Sequence, residues 1–338
     1  MKTPAYVYAN PIQEISQADF PTHSEQIDAE VLTHYEYVES RDRDQPAAGQ
    51  PLNVVVFNAM RGTHLDGIIE RIRETPELRD PDLLLASELD IGMVRSGNRH
   101  TPRELGDALG LNYTFGVEFV ELSLGDKEEQ QLPGENAIGL HGNVVFSRFP
   151  LEEIRIIRLP QLYDWFYDIE KRIGSRIAVA ARLSGTSLTV VSVHLENFTS
   201  PEGRQFQTER MLEAIEGPAL VGGDFNSMGY TEMPTDSKAD KIRKVQERQN
   251  FDPLHPIARE LLFESFVEQG FRYEEANQMR APTSFDPQKI DWVFVRNVEV
   301  MPGSPVVIPA TADDDPNRRI SDHHFLALKI NLPRVSLS

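Results

Sequence analysis

Apolar runs of this sequence repeatedly begin or end on a residue able to hold a metal ion or a phosphate. "VVVFN" closes on Asn58, "LLLASE" closes on Glu88, and "VVSVHLE" carries His194. "ALVGGDFN" delivers Asp224 and Asn226, "KIDW" contains Asp291, and "ISDHH" sets Asp322 and His323 just ahead of a last apolar run. Successive side chains of a strand alternate in direction, so Asp224 and Asn226 are expected to project together while Phe225 turns into the core. Taken singly, each residue has an ordinary structural reading. Asn58 suits a turn, Glu88 a buried pairing with Arg or Lys, His194 a satisfied core position, and Asp322 a cap. Taken together, they imply that these strand ends meet.

The chemistry that wants this set is phosphoester hydrolysis. A hard divalent cation, Mg²⁺ or Mn²⁺, takes carboxylate and amide oxygens plus water, which Asn58, Glu88 and Asp322 can supply. The cation would polarise a phosphoryl oxygen and stabilise the charge that develops there. Asp224 is suited to orient or deprotonate the attacking water, with Asn226 holding water or phosphate beside it. Asp291 would fix one tautomer of His323, which could then sit charged against the phosphate. His194 is placed to donate to a phosphoryl or leaving oxygen.

Behind these residues stand the elements that must position them. Strands are expected in "LNVVVFN", "DLLLASE", "GNVVFSR", "IAVAARL", "SLTVVSVHLE", "ALVGGDFN", "IDWVFV" and "FLALKINL". Helical spacing marks "LDGIIERIRETPEL", "GRQFQTERMLEAIEG", closed by Gly217, and "HPIARELLFESFVEQG". Many strands with few interspersed helices indicate two packed sheets flanked by helices. "LSLGDKEEQQLPGE" and "TADDDPN" read as exposed loops, and residues 1–50 as a polar N-terminal extension or tail whose one short helix falls in "DAEVLTHYEYV". A catalytic domain is expected over 51–334.

Composition narrows the function classes. The 338-residue chain has no cysteine, which excludes disulfides, thiolate metal sites and cysteine nucleophiles. A net charge of −19 opposes non-specific binding to long polyanions, so extended nucleic acid is a less favoured substrate. No apolar run approaches the length of a membrane span and the N-terminus lacks a signal-peptide core, so a cytoplasmic protein is expected, with no obligate protein partner evident.

The motifs "VVVFNAMRG", "LLLASELD", "GNVVFSRFPL", "VVSVHLEN", "LVGGDFNS", "KIDWVFV" and "ISDHHFLALKI", in this order, resemble those of the endonuclease/exonuclease/phosphatase superfamily of deoxyribonuclease I-like phosphoesterases. The resemblance spans about residue 51 to residue 332. It implies an α+β fold, a four-layer α/β/β/α sandwich of two mixed β-sheets flanked by helices. It also implies metal ligands at Asn58, Glu88 and Asp322, a nucleophile- and phosphate-positioning pair at Asp224 and Asn226, a dyad at Asp291 and His323, and a phosphate-facing His194. Asn143 matches the family's GNxxxSR strand and is expected to order the phosphate site. Ser87 stands where many members carry Gln, Met60 where abasic-site enzymes carry a second acid, and His194 where they use Tyr, which points away from abasic-site repair.

Further substrate contacts are expected from two segments. "LDIGMVRSGNRHTPREL" brings Arg95 and Arg99, suited to a second phosphate or a leaving-group anion, or otherwise to a solvated loop paired with nearby acids. "QLYDWFYDIEKRIGSR" sets Tyr163, Trp165, Phe166 and Tyr167 near Arg172 and Arg176, as an aromatic rim beside a phosphate or as a packed loop. Three functions remain open on sequence: a phosphodiesterase or nuclease, a phosphatase or phospholipase C-type enzyme on a small molecule or lipid headgroup, and a silent binding module. Retention of the whole polar set argues against the third.

Overall fold

The computed structural model describes residues 31–39, 46, 51–231, 233, 237–249, 252–312 and 318–332. In chain order its strands are β1 (Tyr35–Val38), β2 (Pro51–Asn58), β3 (Leu83–Ile91), β4 (Asn112–Glu121), β5 (Leu140–Ser147), β6 (Leu151–Arg158) and β7 (Arg172–Gly174). There follow β8 (Ile177–Leu183), β9 (Thr189–His194), β10 (Ala219–Asp224), β11 (Asp291–Arg296), β12 (Glu299–Val300), β13 (Val306–Ile308) and β14 (Phe325–Asn331). The α-helices are α1 (Leu65–Glu74), α2 (Thr101–Leu109), α3 (Pro201–Leu212), α4 (Lys238–Gln249) and α5 (Leu262–Glu268).

Strand parity sorts the apolar side chains into three separate layers. Leu52, Val54 and Val56 of β2 pack with Ile177 and Val179 of β8 and Val293 of β11. Val55 and Phe57, the alternate residues of β2, pack instead against Leu65, Ile68 and Ile72 of α1. Across the molecule, Val191 of β9, Val221 of β10 and Phe294 of β11 pack against Met211 of α3 and Phe263 and Phe266 of α5. Each such fully buried aliphatic or aromatic side chain contributes about 1.5–3 kcal/mol of transfer free energy. Three apolar interfaces require four layers: helices, a sheet, a second sheet, helices. The fold is α+β, as expected.

Among the described residues the larger sheet runs β1-β4-β5-β3-β2-β14-β12, with β13 on β14 and β7 on β4, and the smaller runs β11-β10-β9-β8-β6. Both sheets are mixed: β2 and β3 are parallel, as are β9 and β10, and their other neighbours are antiparallel. No helix among the described residues is long and apolar enough to cross a membrane.

The sequence expectations need correcting at several elements. Of "DAEVLTHYEYV", expected to hold a short helix, residues 28–30 lie outside the described residues, Val31 and Leu32 are helical, and the end is the edge strand β1, antiparallel to β4 with Tyr35 opposite Gly116. Val31 and Leu32 before it are buried, so this part of the N-terminal stretch belongs to the body. Strands β4 and β6 and helices α2 and α4 were not anticipated. The buried Glu118 and Glu121 break the apolar pattern of β4, and β6 is largely half-exposed. Residues 1–30 and 313–317, including most of the expected tail and of the second polar loop, lie outside the described residues.

Candidate active site

The polar strand ends continue the inter-sheet register of the apolar residues before them. Asn58 follows Leu52, Val54 and Val56 on one face of β2; His194 follows Val190 on β9, Asp224 follows Leu220 on β10, and Asp291 precedes Val293 and Val295 on β11. Each is the last position of its strand that points between the sheets. Strand pairing then sets them side by side, with Asp224 directly opposite His194 on β9 and Asp291 on β11. Glu88 reaches the same place by another route. A bulge between Ala86 and Leu89, with Glu88 at the left-handed φ of 56°, re-aims its side chain.

Both glycines of "VGGDFN" have a steric reason. A Cβ on Gly222 would lie 2.8 Å from Val56 Cγ2 of the facing sheet, and one on Gly223, at φ 155°, would lie 1.9 Å from the Val193 carbonyl oxygen. The chain leaves β10 at Asn226, whose own φ is 46°. Asn226 N–H donates to Asp224 Oδ1 at 2.9 Å and its amide donates to the Leu195 carbonyl at 3.0 Å, while Phe225 is fully buried. The "ISDHH" segment is fixed by Ser321 Oγ, which donates to the Asn58 carbonyl at 2.8 Å.

Glu88, His194, Asp224, Asn226, Asp322, His323 and Arg176 line one cleft of about 200 Å³. Asn58 and Asp291 stand behind it as supports. Asn58 Nδ2 donates to Glu88 Oε1 at 3.0 Å and to Asp224 Oδ2 at 3.1 Å. His323 Nδ1 lies 2.9 Å from Asp291 Oδ2, and its Nε2 lies 3.6 Å from Asp224 Oδ2. Burial pushes the His323 imidazole toward neutrality, but Asp291 and Asp224 outweigh it and raise its pKa well above the usual value. Burial likewise raises Asp224, with Asp291 adding to the rise and His323 and His194 opposing it. Glu88 goes the other way: burial raises it, but His194, His141, Arg61 and the Asn58 hydrogen bond together hold it far below the usual carboxylate range.

A hard divalent cation fits the donor set present. Glu88 and Asp322 bring carboxylates to the cleft, and among the described residues Glu88 has no Arg or Lys within 4 Å. Asn58 Oδ1 accepts from the Met60 N–H at 3.0 Å, so as placed the amide offers a donor to its neighbours, and ligation through its oxygen requires it to turn. Asp224, Asp291 and His323 also present ligand atoms within 4.8 Å of one another, but a charged His323 already serves both carboxylates.

Three expected phosphate contacts lie elsewhere. Arg95 is buried among acids, 2.7 Å from Asp90, 2.9 Å from Glu170 and 3.2 Å from Glu121, because the short turn Val94–Ser96 folds it inward. Arg99 faces outward and pairs with Asp66 and Glu104 at 2.8 and 2.7 Å. Asn143 is fully buried one inter-sheet step below His141, which itself lines the cleft, and it donates to the Ile177 carbonyl at 3.1 Å, tying one sheet to the other. Arg176 does reach the cleft, held by Glu118 Oε1 at 2.6 Å and Asn197 Oδ1 at 3.0 Å, with Nη1 2.9 Å from His194 Nδ1.

The cleft wall also holds residues that sequence reasoning passed over. Arg61 lines it from a left-handed φ of 65° and donates to Asp126, Glu129 and Glu170. Its place three residues after Asn58 was the available signal. The acidic loop expected to be free in solvent therefore supplies Asp126 and Glu129 to this wall. Of the aromatic segment, Trp165 is buried with its ring centre 3.7 Å from the Arg172 guanidinium, which also lies 3.9 Å from the ring centre of Phe119. Trp165 packs edge-on against Tyr163, so the segment is a packed loop with one edge on the cleft. Ser87 Oγ is buried without a hydrogen-bond partner among the described residues.

The same fold occurs in solved structures of low sequence identity. An endonuclease/exonuclease/phosphatase from Beutenbergia cavernae is 18% identical with a TM-score of 0.54, the match covering 86% of this chain and 73% of that one. The human Nocturnin catalytic domain with bound sulfate is 18% identical with a TM-score of 0.51, covering 88% and 97%. A Bacteroides vulgatus endonuclease/exonuclease/phosphatase is 16% identical with a TM-score of 0.51, covering 84% and 99%. No curated protein matches the chain in sequence. The endonuclease/exonuclease/phosphatase family model matches residues 57–323, a span that holds every strand end building the cleft, and the chain belongs to that family.

Proposed function

We propose that this protein is a divalent-metal-dependent phosphodiesterase acting on a small phosphodiester or an accessible nucleic-acid end. The observation that carries the reading is the placement of Asp224 between His194 and Asp291 on adjacent strands, with His323 and Glu88 completing the cleft. Members of the family hydrolyse phosphoesters and typically use a divalent metal. Mg²⁺ or Mn²⁺ held by Glu88 and Asp322, and by Asn58 with its amide turned, would supply charge to polarise the phosphoryl group.

The chain's own residues do the rest. Asp224 Oδ2 receives the Asn58 amide and faces His323, which leaves it oriented to hold a water and take its proton. His323, kept charged by Asp291, offers Nε2–H toward developing negative charge. Asn226 and His194 bracket the phosphate, and Arg176 adds a fixed guanidinium. A cleft of about 200 Å³ and a net charge of −19 favour a small substrate over long duplex.

One observation favours a second reading, a monoesterase. Arg61, Arg172 and Arg176 all line the cleft, and a terminal phosphate dianion would draw more from them than a diester monoanion. Hydrolysis of bis-p-nitrophenyl phosphate and p-nitrophenyl phosphate, each with Mg²⁺, Mn²⁺ or EDTA and with Glu88→Ala as the blank, separates the two. Metal- and Glu88-dependent diester turnover is expected; monoester turnover alone would replace the first reading by the second.

A further inference from the structure

Of the three guanidiniums that line the hydrolytic cleft, two are fully engaged by the protein. Arg61 gives Nη1 to Asp126 and Glu129 and Nη2 to Glu170; Arg176 gives Nη1 to Glu118 and Nη2 to Asn197. Arg172 makes no hydrogen bond among the described residues, although its side chain is only 4% exposed. Its Nη1 lies 3.5 Å from Glu170 Oε1 and 3.6 Å from Glu121 Oε1, but those oxygens take shorter contacts from Arg95, at 2.9 and 3.2 Å. Of its three nitrogens only Nε is sealed from solvent. Nη1 and Nη2, equally without an acceptor, keep accessible surface where the side chain lines the cleft.

The group is held still without those bonds. Its guanidinium carbon lies 3.7 Å from the ring centre of Trp165 and 3.9 Å from that of Phe119, two rings whose centres are 6.0 Å apart and whose planes meet at 65°. Trp165 is itself fixed, its Nε1–H donating to Glu196 Oε2 at 3.0 Å. Cation–π attraction therefore orients the planar fork and leaves its Nη groups for another acceptor. A fork preset in this way loses little freedom on receiving an oxyanion. Asn197, whose Oδ1 accepts from Arg176, brings its amide nitrogen to the same cleft as a further donor. Nearly buried donors in native proteins find their acceptors in protein, water or ligand, and here the protein supplies none.

We propose that Arg172 is a second oxyanion seat in the cleft, and that the substrate is a phosphoester bearing a further anionic group, a phosphate or carboxylate, beyond the one that reacts. The reacting phosphoryl group lies on His194, Asn226 and His323, and the second oxyanion docks on the Arg172 fork beside Trp165. Resting on the cleft as the place where a phosphoester binds, this second seat narrows its substrates to those with two oxyanions.

The chain has two tryptophans, Trp165 against Arg172 and Trp292 in the core, so the full chain labelled with 5-fluorotryptophan carries a reporter and a reference. Their ¹⁹F resonances are assigned with Trp165→Phe. Alkylenebisphosphonates, from ethylene to hexylene, serve as a ruler and ethylphosphonate as the single-oxyanion comparison, all titrated with Mg²⁺ present. At least one spacer is expected to move the Trp165 resonance saturably and bind about ten-fold or more tighter than ethylphosphonate, with Trp292 unmoved. Arg172→Met is expected to abolish that gain. Since removing this cation could unfold the protein, Arg172→Lys, which keeps the charge and loses the fork, is read beside it and is expected to lose most of the gain. The phosphonocarboxylate of the best spacer names the second group: equal binding assigns a carboxylate, weaker binding a phosphate. Hydrolysis of bis-p-nitrophenyl phosphate by the same wild-type sample tests the phosphodiesterase reading separately. Turnover with no spacer better than ethylphosphonate, or with the gain intact in both Arg172 variants, overturns the seat and leaves the hydrolase; the gain without turnover supports the seat and sinks the hydrolase.

Discussion

Asp291 Oδ2 lies 2.9 Å from His323 Nδ1, and both side chains are almost wholly buried at the floor of the cleft. The carboxylate holds the ring with Nδ1 as donor and keeps it charged. Asp291→Asn keeps the shape but removes that charge, so the imidazolium loses its main counter-ion. The expected result is a fall in kcat of about 10²–10⁴, the range seen when a positioned acid–base group is disabled, with Tm close to the wild type. A rate within a factor of three in the folded variant would show that His323 does not need Asp291.

Glu88 is held firmly in its charged form, and among the described residues no Arg or Lys lies within 4 Å of it. That combination suits a metal ligand. Glu88→Gln keeps the Asn58 contact possible while removing the ligand's negative charge, and is expected to weaken Mg²⁺ or Mn²⁺ binding by about 10–100-fold. Calorimetric titration of the metal against the folded variant reads this directly, without reference to any substrate.

Arg95 and Arg99, four residues apart, should respond oppositely to removal. Arg95→Met takes from Asp90, Glu121 and Glu170 the one guanidinium they share, leaving His141, Arg172 and Arg61 to serve them, and breaking a buried ion cluster on one side costs about 3–5 kcal/mol. Arg99→Ala breaks surface pairs worth about 0–1 kcal/mol. Urea denaturation of the two variants is expected to show a large drop in midpoint for the first and almost none for the second.

The edge strand β1 predicts a pH dependence. Burial raises the Glu36 carboxyl, but His100, the Tyr113 hydroxyl and Arg103 overcome it and hold its pKa at about 2, below the usual 4.5. A depressed folded-state value means that the stabilisation is complete above pH 4.5 and is lost as pH falls from there toward 2. It is on the order of 1–3 kcal/mol. Glu36→Gln should therefore lower Tm at pH 7 and differ far less from the wild type near pH 2.5, as followed by circular dichroism.

Gly223→Ala tests the strand geometry on which the site rests. Its Cβ would meet the Val193 carbonyl at 1.9 Å, a backbone atom that cannot give way without separating β9 from β10. A loss of about 2–4 kcal/mol is expected from overpacking and backbone strain, measured by urea denaturation. Activity should fall further than stability, since the same pairing aligns His194 with Asp224.

Much of this arrangement was legible in the chain. The alternation of apolar residues in "LNVVVFN" and "IDWVFV", and the polar residue at each end, together state which face a strand buries and where that face stops. Asn58, His194, Asp224 and Asp291 could be read for that reason, because parity is a local property of the backbone. Glu118 could not be read. It is a charged residue in the middle of a buried strand, tolerated there because Arg176, from a segment 58 residues away, donates to it at 2.6 Å. Arg95 was misread for the same reason: whether an arginine offers itself to a phosphate or to three acids depends on which strands bring acids to it.

The sequence by itself determined the class of fold, the strands that end at the site and the kinds of residue delivered there, since periodicity and side-chain chemistry are carried by neighbours in the chain. Tertiary structure decided the rest. It paired Asp224 with His194 on one side and Asp291 on the other, enclosed Arg95 while leaving Arg176 at the cleft, and buried Asn143 between the sheets on the Ile177 carbonyl. These outcomes turn on which distant segments share a buried space. In such a space a charge must find its partner across the fold, because water is no longer there to serve it.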